Sequence, residues 1–99
     1  MEQSPTMIFS MIAIITVTGP DHTGIVAAVS STLADLNVNI LNISQSIMDS
    51  YFTMILHCAF DDASHGIADI QERMRIVEEQ QALVIRVQSE AIFTAMHRI

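Results

Sequence analysis

Two runs of alternating character, Asn39 to Met48 and Tyr51 to Phe60, are separated only by Asp49 and Ser50. That short gap constrains the fold more than any other feature. A two-residue connection has no length for a crossover, so the runs pair as an antiparallel β-hairpin. In the first run Leu41, Ile43, Gln45 and Ile47 share one face, and Ile40, Asn42, Ser44, Ser46 and Met48 share the other. In the second run Phe52, Met54, Leu56, Cys58 and Phe60 oppose Thr53, Ile55, His57 and Ala59. The first set marks a strand laid on a core; the polar face of the first run suits water or a partner.

The other elements fall around this hairpin. Met11 to Thr18 is rich in β-branched residues and too apolar for clean alternation, as expected of a central strand. Gly19-Pro20 ends it. A first helix is expected over Thr23 to Leu36, with Val26, Val29, Leu33 and Leu36 in one stripe that Ile25 widens. Asp21 is its expected N-cap and Asn37 its C-terminal stop. The small residues Ala27, Ala28, Ser30, Ser31 and Ala34 leave a side that a second helix or subunit can approach closely. A second helix is expected over Ser64 to Gln80, with Ile67, Ile70, Met74 and Val77 as its seam and a charged, solvated opposite face. Ala82 to Gln88 reads as a fourth strand. Ser89 to Ile99 reads as a short terminal helix with Ile92, Phe93 and Met96 as apolar contacts.

The order is β-α-β-β-α-β. Right-handed crossovers put both helices on one face of a four-stranded antiparallel sheet, an α+β, ferredoxin-like sandwich. Residues 1–10 are expected to form a flexible N-terminal lead, 11–90 the domain and 91–99 a C-terminal extension.

Charge narrows the function classes. Four basic against eleven acidic residues give a net charge of −7, which argues against nucleic acid and against anionic membranes. No apolar run reaches the roughly 18 residues of a membrane-spanning helix, and Met1 to Ser10 lacks the basic region of a signal peptide. The single cysteine, Cys58, excludes an intramolecular disulfide and fits a buried, inert thiol in a reducing cytoplasm. The four histidines fit no metal motif. The four arginines lie late in the chain, and the turn from Gly19 to Gly24 has none, so phosphate chemistry there is disfavoured. No catalytic residues, metal or cofactor are expected.

The first strand-to-helix junction carries the functional reading. Unpaired N–H groups at a helix start favour a carboxylate. Asp21 and the amide oxygen of Asn39 suit an ammonium. An α-amino acid carries both groups. The structural alternative is that Asp21 only caps the helix and Asn39 only holds the following turn. Because a sheet with two helices leaves a face and two edges unprotected, a homodimer is expected.

The stretch Gly19-Pro20-Asp21-His22-Thr23-Gly24-Ile25-Val26, followed by Leu36-Asn37-Val38-Asn39-Ile40, resembles the ACT-domain signature. The resemblance spans about Met11 to Gln88. Ile43-Ser44-Gln45-Ser46, Asp49-Ser50-Tyr51-Phe52-Thr53-Met54 and Ser89-Glu90-Ala91-Ile92-Phe93 bring it near the small stand-alone bacterial ACT-domain proteins. The resemblance implies a non-catalytic regulatory module that binds an amino acid near a dimer interface. It implies a ligand site of Asp21, His22, Gly24 and Ile25 at the turn and helix start, with Asn39 and Ile40 on the second strand. Gly19 departs from family members with a polar side chain before the turn. The alternatives are a protein-interaction module that has lost ligand binding and, ranked lower, a metal-dependent binding protein.

Overall fold

The hairpin forms as its sequence requires. In the computed structural model, which describes residues 11–63 and 65–96, β2 (Asn39–Met48) turns through Asp49-Ser50 into β3 (Tyr51–Phe60). Asp49 takes a left-handed φ of 56°, which aspartate tolerates better than most residues. β1 (Met11–Pro20) lies antiparallel on the other side of β3, and β4 (Val84–Ser89) lies antiparallel beyond β1. The sheet order is β2-β3-β1-β4. α1 (Ile25–Asp35) and α2 (Ile67–Gln81) form the crossovers, and a short α3 (Glu90–Met96) follows β4. The architecture is the expected α+β, ferredoxin-like one. The expected N-terminal lead, the Ser64 start of the second helix and the end of the terminal helix lie outside the described residues.

Alternation builds the core. Ala13, Ile15 and Val17 of β1, the even-numbered residues of β3, and Ile85 and Val87 of β4 point at the helices. They meet Ile25, Val29 and Leu33 of α1 and Ile70, Met74 and Val77 of α2. Burying each larger side chain contributes about 1.5–3 kcal/mol. The seam of α1 differs from its expected form. Ile25 is 2% exposed and Val26 38%, so the stripe runs Ile25, Val29, Leu33 and closes on Leu36. Asn37 does stop the helix: it takes φ 61°, its N–H donates to Ala34 O (3.0 Å), and the Val38 N–H donates to Leu33 O (2.9 Å).

Local hydrogen bonding explains the other shifts. α2 starts at Ile67, with His65 and Gly66 outside the helix. Before it, Asp61 Oδ1 accepts from the Ala63 N–H (3.0 Å) and Asp61 O accepts from the His65 N–H (3.1 Å), which holds a turn in place of helix. Ala82, at a left-handed φ of 57°, terminates α2 and so delays β4 to Val84. β1 continues through Gly19 and Pro20, opposite Phe52 and Tyr51; proline is tolerated at a strand end. A bulge between Ile40 and Asn42 changes the faces of β2. Ile40 pairs with Cys58 and packs against the core, instead of sharing the open face with Asn42 and Ser44.

The two sheet edges are built differently. At β4, Glu78 of α2 accepts a hydrogen bond from the Ile85 N–H (2.8 Å), and the Gln71 side-chain amide donates to Val87 O (2.9 Å). At β2, Ile43 and Ile47 stand opposite the core residues Leu56 and Phe52, yet remain 41% and 56% exposed. The helical layer stops short of them. On α1, Ser30, Ser31 and Thr32 each turn a hydroxyl back to donate to the carbonyl four residues earlier, on Val26, Ala27 and Ala28.

α3 begins on the open face of the sheet. Ser89 Oγ accepts from the Ile92 N–H (3.2 Å) at its start, and Glu90 pairs with His57 of β3 at 3.2 Å. Ile92 and Met96 stay largely exposed, contrary to their expected packing roles, and α3 has no buried residue. A helix of seven residues held by its ends has little surface to bury.

Candidate functional site

The junction after β1 is shaped by two glycines with different roles. A Cβ at Gly19 would come within 2.9 Å of Leu83 Cδ2 and 3.2 Å of Ala82 O. The end of β1 thus packs tightly against the α2–β4 connection, and a side chain at this position would require Leu83 and the Ala82 carbonyl to give way. Gly24 has open space around it, but its φ of 96° is strained for any L side chain. It is the N-cap of α1, and its carbonyl accepts the first helical bond from the Ala28 N–H (2.9 Å).

Asp21 does not cap the helix. Gly24 takes that position without a side-chain hydrogen bond, and α1 has no acidic residue in its first turn. The first-turn N–H groups therefore have no side-chain acceptor among the described residues. Asp21 is exposed, and its own N–H donates to Ser50 O at 2.7 Å, tying the turn to the tip of the β2–β3 hairpin. His22 spans the other side. Its Nδ1 lies 3.0 Å from Thr23 O and its Nε2 2.8 Å from Gln81 O, the last residue of α2. The hydrogen bond to Thr23 O, then that to Gln81 O and the charge of Asp21 hold the ring's pKa above its ordinary 6.5.

The structure brings Asp21, His22, Gly24 and Ile25 together and leaves Asn39 and Ile40 elsewhere. Ile25 anchors the helix start in the core, and Ile40 packs against that core from β2. Asn39 pairs with Ala59, which also pairs with Ile12 near the start of β1, whereas Asp21 follows the other end of that strand. At about 3.3 Å per residue, roughly 25 Å of strand separates the two ends. Ser50 and Gln81 were missed by sequence reasoning. Ser50 carries a turn signal; Gln81 lies 59 residues from His22 and carries none.

Other features are chemically quiet. Burial pushes the Cys58 thiol up to about 11, so it stays protonated near neutrality. A groove of about 380 Å3 lies along β4, lined by residues that include Gln71, Arg75, Glu78 and Arg86. Gln71 and Glu78 are committed there to the strand backbone, and Arg75 to Glu72 and Glu79. Among the described residues no three His, Cys, Asp or Glu side chains gather to hold a metal. No described helix is long and apolar enough to cross a membrane.

A UPF0237 protein of Corynebacterium efficiens is 67% identical over 89 residues, covering 90% of this chain and all of that protein. An ACT domain protein from Streptococcus pneumoniae superposes with a TM-score of 0.75 at 39% identity, over 85% of this chain and 94% of that one. A formyltetrahydrofolate deformylase from Pseudomonas syringae shares the fold, with a TM-score of 0.70 at 22% identity over 81% of this chain and 28% of that one. The ACT-domain family profile matches residues 11–88. With nearly the whole folded region matched and relatives this similar, the chain belongs to the ACT-domain family.

Proposed function

We propose that this chain is a non-catalytic, cytoplasmic regulatory module that binds an amino acid at the β1–α1 turn, beside the interface of a homodimer. The observation that carries the reading is the start of α1. Gly24 caps it without a side chain, which leaves amide donors for a carboxylate, and exposed Asp21 stands beside them for an ammonium. Asn39 joins this site only from a second copy. Twofold pairing of β2 with its counterpart runs the two strands antiparallel. That pairing carries the partner's Asn39 toward the Met48 end of β2, the end at which Ser50 holds Asp21. The β2 segment has no charged residue, so two chains of net charge −7 meet there without opposed charges.

The test is a thermal-shift screen over the proteinogenic amino acids. At least one raises the melting temperature, and at a hundred times its Kd the stabilisation is about 2.7 kcal/mol. Asp21→Ala combined with Asn39→Ala abolishes the shift and leaves the fold intact, since both residues are exposed. A second reading, an interaction module without a ligand, is favoured by Tyr51, Ile55 and Val84, which stand exposed on the open face of the sheet. A flat response across the panel with dimerisation intact selects it.

A further inference from the structure

Both ring nitrogens of His22 face carbonyl oxygens, of Thr23 and of Gln81. A carbonyl oxygen only accepts. A neutral imidazole has one N–H and one lone pair, so it can make one of these bonds and must aim a lone pair at the other oxygen. Only the imidazolium donates both. Gln81 also ends a fifteen-residue helix, whose C-terminus carries partial negative charge, and the last turn of α2 has no basic residue of its own. A cation delivered from the β1–α1 turn fills that place.

The charges around the ring agree. Asp21 is adjacent and raises its proton affinity. On α2, Glu78 is held by the Ile85 N–H and Glu79 by Arg75. The first turn of α1 contributes no acidic group. Asp49, in the hairpin turn, neighbours Ser50, which accepts from the Asp21 N–H.

We propose that His22 is a proton-operated clasp: protonated, it ties the β1–α1 turn to the end of α2, and on deprotonation it drops one of the two bonds and loosens the turn that shapes the start of α1. The sign follows from the raised proton affinity. The clasp's contribution to stability is complete below the ordinary 6.5 and is lost as pH rises through the higher folded-state value. It therefore operates above 6.5. Its consequence for the ligand, weaker binding as pH rises, rests on the reading of this turn as the amino-acid site. The clasp itself does not.

The experiment follows the histidine ring signals of the full chain by NMR across a pH titration, with His22 identified by its loss in His22→Gln. The His22 midpoint lies above 6.5. In parallel, wild type melts above His22→Gln at about pH 6, and the gap closes by about pH 9. His22→Lys, a cation throughout that interval, keeps the wild-type melting temperature at the lower pH and holds it at the higher one. A midpoint at or below 6.5, or a gap constant across the interval, overturns the proposal. Neither measurement needs a ligand, so a flat amino-acid screen and a failed titration are separate results.

Discussion

The two edges of the sheet face the same problem and solve it differently. Every edge strand presents unpaired N–H and C=O groups that invite another strand. At β4 the answer is internal: Glu78 and Gln71 reach out from α2 and satisfy alternate residues of the strand. At β2 no helix lies close enough. α1 has 11 residues against 15 in α2, and Ile43 and Ile47 project past it into solvent. One edge is closed by the chain itself; the other stays open, and under the proposed dimer it takes a second copy. Association limited to one edge closes after two copies, whereas two open edges would propagate.

The contrast can be broken from either side. The largest effect is expected from Ile43→Lys with Ile47→Lys. These residues are already exposed, so denaturant unfolding of the isolated chain changes by no more than about 0.5 kcal/mol. Sedimentation shows the dimer replaced by monomer, because four added cations meet across the twofold. Opening the β4 edge with Glu78→Ala and Gln71→Ala has a smaller effect on assembly but a larger one on the fold, a loss of about 1–3 kcal/mol in urea unfolding. It adds species larger than a dimer on sedimentation, since a second strand edge is now bare. The smallest effect is expected from Arg75→Ala. Arg75 sits by the same edge, but its pairs with Glu72 and Glu79 at 2.7 and 2.8 Å are solvent-exposed. Screened surface pairs contribute little, so melting temperature and assembly stay unchanged.

Where the pattern was local, the fold was legible before any coordinates. The β2–β3 hairpin, the seam of Ile70, Met74 and Val77, and the stop at Asn37 each follow from spacing or from one residue's backbone preference. Competition between local and distant partners was not legible. Asp21 has the chemistry of a cap, but Gly24, in the left-handed conformation, takes the N-cap position without a side-chain hydrogen bond. A single bulge at Leu41 swings Ile40 to the core, and no residue type there announces it. The candidate site was legible as far as the turn and helix start. Asn39 follows the helix by only a short connection, yet the crossover carries it the length of the sheet away from Asp21. Sequence proximity hid that distance.

The three back-bonded hydroxyls of α1 shape what can settle on that helix. Ser30, Ser31 and Thr32 look versatile in the sequence, each able to give and to receive. In the folded chain their hydrogens are already directed at Val26, Ala27 and Ala28. That flank offers lone pairs and methyl groups but almost no protons, so a neighbour resting against α1 must bring its own donors or none.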